Sequence, residues 1–133
     1  MNTKAGIWID HRQAYIVLIG PGSESLKNIE SDIEKHVRFS SHTADIDGAA
    51  DDQRDHRYTS HLNAYYDKVI ALLGDASVVL VFGPGEAKRE LEQRLISKGG
   101  AKRIIGIETA DKMTESQITT KVRQHYDVLF HSV

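Results

Sequence analysis

Val78-Val79-Leu80-Val81-Phe82-Gly83-Pro84-Gly85-Glu86-Ala87-Lys88 decides the fold of this 133-residue chain. The run from Ser77 to Phe82 is apolar without alternation and rich in β-branched side chains. That composition suits a strand covered on both faces, as the central parallel strands of α/β sheets are. The run stops at a Gly-Pro-Gly corner, and helix-forming sequence begins at once. A strand that feeds a helix through glycines leaves backbone N–H groups facing solvent at the helix N-terminus, a geometry that favours anions, phosphates included. Pro84 has no N–H to give, so the donors fall to Gly85, Glu86 and Ala87. Lys88 follows in the first turn and is expected to point toward the strand ends and add a point charge. The four-residue spacer and Lys-Ser/Thr pair of a Walker A loop are absent. Glu86 also suits the dipole of a plain helix start, so the corner has a purely structural reading beside the phosphate one.

Downstream, Ala87, Leu91 and Leu95 mark a helix that ends at Gly99-Gly100. Arg103–Ile107 reads as a short buried strand. Thr114-Glu115-Ser116-Gln117 is a capping box, with Met113 and Ile118 placed as a hydrophobic staple, and the last helix carries Ile118, Val122 and Tyr126 on one face. Upstream, Leu62, Tyr65, Val69 and Leu73 recur at helical spacing, which predicts a helix from about Arg57 to Leu73 that stops at Gly74.

The N-terminal part has strand rather than helix periodicity. Ala5–Ile9 and Ala14–Ile19 flank the polar turn Asp10-His11-Arg12-Gln13 and read as a β-hairpin. Gly20-Pro21-Gly22-Ser23 is a second turn. Strand sequence resumes from Leu26 to Ile29 and continues or restarts from Ile33 to Phe39. Residues 40–55 lose all periodicity and collect Asp45, Asp47, Asp51, Asp52 and Asp55 around Gly48-Ala49-Ala50, which reads as an exposed acidic loop. The element order is thus βββαβαβα in a single domain over residues 1–133. Strands joined by short turns are antiparallel neighbours, and strands reached through helices are parallel with right-handed crossovers. A mixed five-stranded sheet with helices on its faces follows, the order of ribonuclease H-like α/β folds.

The net charge of −2 supplies no global basic field, and the chain has no cysteine for disulfide or thiol chemistry. No run approaches a membrane span, and Met1-Asn2-Thr3-Lys4 leads directly into strand-like sequence with no signal peptide. A cytoplasmic location is the expectation. His56 and His61 are five apart, the wrong spacing for one helical face, so no metal pair is expected there, and no cofactor is expected.

Phe82-Gly83-Pro84-Gly85-Glu86-Ala87-Lys88, His61-Leu62-Asn63-Ala64-Tyr65-Tyr66-Asp67-Lys68-Val69-Ile70 and Ile107-Glu108-Thr109-Ala110-Asp111-Lys112-Met113-Thr114 together resemble the bacterial translational machinery proteins. Those are similar to the middle domain of class-one release factors and of Pelota. The resemblance implies the ribonuclease H-like "translational machinery component" fold and a ribosome or tRNA as partner. In release factors the loop before the long helix carries a Gly-Gly-Gln tripeptide that positions water at the peptidyl-tRNA ester. The matching stretch here, Asp47-Gly48-Ala49-Ala50-Asp51-Asp52-Gln53-Arg54, has no such tripeptide, and its acidity opposes approach to phosphate. Peptide release therefore does not carry over. Stop-codon recognition does not either, for want of a codon-reading domain.

The expected RNA- or phosphate-binding set is Gly83, Gly85, Glu86, Ala87 and Lys88 with Arg54 and Arg57, which open the long helix. Arg12, Arg38 and His56 belong to the same basic group, which has a second reading as a solvated surface that neutralises nearby aspartates. Tyr65 and Tyr66 could stack bases, but Tyr65 lies on the apolar stripe and suits the core. The reading from another class is a metal-dependent nuclease or phosphoryl-transfer enzyme that uses Asp10, Glu108 and Asp111, though the carboxylate such a site needs after the fourth strand falls at Phe82-Gly83-Pro84. Asp10 also suits a plain turn. A third reading makes the acidic segment a dock for a basic protein surface. An oligomer is compatible with all three.

Overall fold

The computed structural model describes residues 3–31 and 50–131, and side chains of that set except those of 50–59 and 128–131. Five strands, β1 (Lys4–Ile9), β2 (Gln13–Gly20), β3 (Ser23–Glu30), β4 (Val78–Gly83) and β5 (Ile104–Thr109), form one sheet in the order β3-β2-β1-β4-β5. β1 pairs antiparallel with β2, and β2 with β3, whereas β4 is parallel to both β1 and β5. The mixed sheet with its switch from turn-joined to helix-joined strands is the one the sequence implies. β4 lies in the interior, and β1 holds the middle place.

Among the described residues three α-helices cover the sheet: α1 (Ala50–Leu73), α2 (Ala87–Ser97) and α3 (Glu115–His131). One face is filled by Ile7, Ile9, Ile16, Val79 and Val81 against Leu62, Tyr65, Val69 and Leu73 of α1 and Ala87, Leu91 and Leu95 of α2. The other face carries Trp8, Val17, Leu80 and Phe82 beneath Ile118, Val122 and Tyr126 of α3. Successive residues of β4 therefore serve opposite cores, which is why its sequence is apolar without alternation. Gly6 lets α3 sit directly on β1, because a Cβ there would lie 2.3 Å from a methyl of Val122. One turn on, the phenol of Tyr126 donates to the carbonyl of Ala5.

The turns follow local chemistry. The Asp10 carboxylate accepts the N–H groups of Arg12 and Gln13, both at 2.8 Å, and closes the first hairpin as an Asx turn. Pro21 and Gly22, the latter at φ +72°, make the second turn in two residues. α2 ends in a Schellman motif: Gly100 N–H donates to Leu95 O, Gly99 N–H donates to Ile96 O, and Gly99 is left-handed at φ +86°. α3 opens on the reciprocal capping box, Gln117 N–H to Thr114 Oγ1 at 3.1 Å and Thr114 N–H to Gln117 Oε1 at 2.9 Å.

Three elements differ from the sequence reading. β5 runs Ile104–Thr109, two residues past Ile107, and as an edge strand is only half-buried where the sequence suggests a buried strand. β3 extends over Ser23–Glu30, beyond Leu26–Ile29 at both ends. α1 begins at Ala50 and not near Arg57, so residues 50–55 of the expected acidic loop are helical. A run of aspartates is as compatible with the first turns of a helix, where the dipole favours negative charge, as with a loop. The remainder of that loop, 40–49, and the strand expected at Ile33–Phe39 lie outside the described residues.

Candidate functional site

The parallel strands β1, β4 and β5 end together at one side of the sheet, so their exits, Asp10–Arg12, Pro84–Glu86 and Ala110–Thr114, are neighbours. From β4 the chain leaves to α2 on one face, and from β5 to α3 on the other. Adjacent parallel strands whose connections leave to opposite faces form a topological switch point, and the crevice outside their carboxyl ends is where open α/β sheets bind ligands. The Gly-Pro-Gly corner forms one wall of this crevice. The other wall is tied to it by a hydrogen bond from Ala110 N–H to Gly83 O at 3.1 Å.

Glycine is required at the corner. Gly83 has φ +149°, and a Cβ there would stand 2.2 Å from the carbonyl oxygen of Ile9, so only glycine lets the ends of β1 and β4 close up. Gly85 takes the left-handed φ of +64° and turns the chain into α2. Glu86 is the N-cap residue, and its side chain makes no capping bond. Its carbonyl accepts the N–H groups of Arg89 and Glu90, both at 3.0 Å. The N-cap side chain thus leaves the N-terminus of α2 open, and Gly85 and Glu86 are exposed.

Lys88 is placed differently from the solvent-facing charge the sequence suggests. It is 5 % exposed, and its ammonium donates to the carbonyl of Gly85. The reason is helical phase: position 88 precedes Leu91 and Leu95 by three and seven residues and shares their buried stripe. The bond has a consequence for the corner. In a trans peptide the C=O and the next N–H point in opposite directions, so a Gly85 carbonyl drawn to Lys88 turns the Glu86 N–H away from the buried ammonium.

The other expected site residues are dispersed. Arg54 and Arg57 lie in the opening turns of α1, with side chains outside the described set, and Arg38 lies outside the described residues. The carboxylate of Asp10 is spent on its own turn. Glu108 pairs with Lys121 at 2.8 Å, and the Lys121 ammonium also stands 5.5 Å from the Phe82 ring centre. Asp111 contributes its backbone carbonyl to Trp8 Nε1 at 3.1 Å. These three carboxylates form no cluster: among the described residues no group of three or more histidines and carboxylates is placed to hold a metal ion.

Tyr65 and Tyr66 are both buried, so neither ring is a stacking platform. The Tyr65 hydroxyl donates to Asp10 O at 3.0 Å and that of Tyr66 to Glu90 Oε1 at 2.6 Å, with His11 Nε2 3.0 Å from the same oxygen. Burial, with the nearby Asp10 charge adding to it, pushes the Tyr65 phenol well above its ordinary value of 10.0. Sequence reasoning missed this web, which pins the first hairpin to α1 and α2. Its partners are separated by 24 to 79 positions, and no local pattern announces a contact at such distance.

No protein-family model matches the chain, and no curated protein does. Solved structures do share the fold. The Pelota protein of Thermoplasma acidophilum superposes with a TM-score of 0.58 at 17 % identity, over 96 % of this chain and 32 % of that one. An archaeal translation termination factor, aRF1, superposes with a TM-score of 0.52 at 15 % identity, over 98 % of this chain and 41 % of that one. The chain thus spans about a third to two-fifths of the length of these proteins. Among the described residues no helix is long and apolar enough to cross a membrane.

Proposed function

We propose that this chain is a cytoplasmic translation-associated module, of the ribonuclease H-like type found in the middle domain of release factors and Pelota, that binds ribosome or tRNA without releasing peptide. The observation that carries this reading is the likeness of nearly the whole chain to parts of two proteins, Pelota and a translation termination factor. The corner supports it physically. An exposed, uncapped helix N-terminus lies at the switch point of the sheet, with glycines that admit a close backbone approach. Beneath it lies the Lys88 ammonium, which has no carboxylate within ion-pair distance among the described residues. A phosphate held by the N–H groups of Gly85, Glu86 and Ala87 would supply the missing countercharge, while Lys88 holds the Gly85–Glu86 peptide in the receptive orientation. Arg54 and Arg57, in the opening turns of α1, are the further basic residues of this reading. Lack of Gly-Gly-Gln in Asp47–Arg54 removes the group that peptide release needs.

Co-sedimentation with ribosomes and filter binding to tRNA test the proposal. Lys88→Met keeps the buried volume and deletes the charge, and Arg54→Ala with Arg57→Ala deletes two positive charges. Both variants, folded by far-UV dichroism, are expected to bind more weakly, and the double variant to lower the salt slope by about two units. Wild type that binds neither ribosome nor tRNA at low salt contradicts the proposal. So does peptide release from stalled ribosomes that Gln53→Ala abolishes.

A further inference from the structure

A groove of about 460 Å3 runs between α1 and α2, apart from the switch-point crevice. Its size falls within the range of roughly 300–1,000 Å3 typical of pockets for small ligands, so it has room for a side chain. Leu62 and Tyr66, both buried, give it an apolar side, and the side-chain amides of Asn63 on α1 and Gln93 on α2 line it as well. Ser97 and two charged side chains, Glu90 and Arg94, complete the lining.

These two charges are not equivalent. Arg94 is held by Asp67 through two hydrogen bonds, Nε at 2.8 Å and Nη2 at 2.9 Å, and Lys98 reaches the same carboxylate at 3.4 Å. That engagement holds the Asp67 carboxyl below its ordinary value. Glu90 has no arginine or lysine partner among the described residues. Its Oε1 takes the Tyr66 hydroxyl at 2.6 Å and His11 at 3.0 Å, contacts that fix the carboxylate without cancelling its charge while the imidazole is neutral. Among the described residues Oε2 has no partner. The groove therefore offers one oriented carboxylate without a lysine or arginine partner among the described residues, together with two amide residues and an apolar side.

We infer that this groove binds an arginine side chain presented by a basic protein segment. The three-carbon stem lies along Leu62 and Tyr66, and the guanidinium meets Glu90 and the amide oxygens of Asn63 and Gln93. A guanidinium suits this set better than an ammonium, because its five donors spread in a plane over several acceptors. The site is independent of the phosphate reading of the corner.

The test is a titration of the 15N-labelled full chain with N-acetyl-arginine amide at pH 8 and low salt, followed by amide shifts. N-acetyl-citrulline amide, of the same shape without the charge, is the control, and N-acetyl-lysine amide the second arm. Saturable shifts are expected at the side-chain amides of Asn63 and Gln93 and along the facing turns of α1 and α2. Glu90→Gln, which keeps an acceptor for Tyr66, is expected to weaken binding about tenfold, and citrulline amide to bind about tenfold more weakly than arginine amide. Absence of saturable shifts, shifts confined to other surfaces, equal binding of citrulline amide, or full binding by Glu90→Gln overturns the inference. Lysine amide that binds as tightly as arginine amide overturns the guanidinium assignment.

Discussion

Single positions hold this fold more tightly than its modest length suggests, and glycines do so twice where two backbones meet. At Gly83 a methyl group would press on the Ile9 carbonyl, an atom of a central strand that has nowhere to go. At Gly6 the obstruction is a Val122 methyl, which has some freedom to give. Gly83→Ala is therefore expected to cost more than Gly6→Ala, about 3 kcal/mol or more, through clash and unfavourable φ together. Urea unfolding of the two variants checks the order. Much at this scale is legible in the sequence: the Gly-Pro-Gly corner, the cap at Thr114 and the turn at Asp10 all stand where local chemistry puts them. Lys88 is the exception. Its residue type suggests an exposed charge, whereas its phase relative to Leu91 and Leu95 puts it inside, and phase prevails because the helix is already fixed by those two leucines.

Among the elements, the ends of helices follow their caps where a cap exists. α3 starts with a reciprocal capping box and α2 stops at paired glycines, and both ends match the sequence reading. Thr114→Ala is expected to lower stability by about 1 kcal/mol, through loss of the Gln117 N–H acceptor, and to shift the urea midpoint without a change in slope. An unchanged midpoint would show that α3 opens without help from Thr114. The start of α1 is the contrary case. Aspartates serve loops and helix N-termini alike, so composition alone could not place it. The edges of the sheet also differ in kind. β3 is mostly exposed and carries Glu24, Lys27 and Glu30, with Glu24 fixed by Arg123 at 2.8 and 3.0 Å, whereas β5 is three isoleucines and a glycine before its first charge. Charge of the first kind keeps an edge from pairing with other strands.

Across the whole molecule, the switch from turn-joined to helix-joined strands was enough to imply a mixed sheet with two cores. Hydrophobic pattern alone does not tell which strand holds the middle, since β1 and β4 are both buried on both faces. The polar web from the first hairpin to α1 and α2 was invisible for a related reason: it is created by the fold and not by any segment of it. Buried phenols give that web and the α3 core a measurable signature. Tyr65 and Tyr126 both have folded-state values raised above 10.0, by burial first, so each stabilises the fold fully below the unfolded value and loses that contribution as pH rises beyond it. Stability measured by urea midpoints is expected to fall between about pH 10 and pH 12, and less steeply in Tyr65→Phe. A flat profile over that window would contradict the burial of both rings. The central claim is that the β4–α2 corner receives a phosphate of RNA, and removal of the negative charge at its rim tests it most directly. Glu86 is exposed there and its carboxylate opposes an anion. Ribosome or tRNA affinity of Glu86→Gln, measured by filter binding at low salt, is expected to rise several-fold, the effect of removing about 1 kcal/mol of repulsion. Affinity equal to or below that of the wild type, in a variant that folds normally, would show that the corner is only the start of a helix.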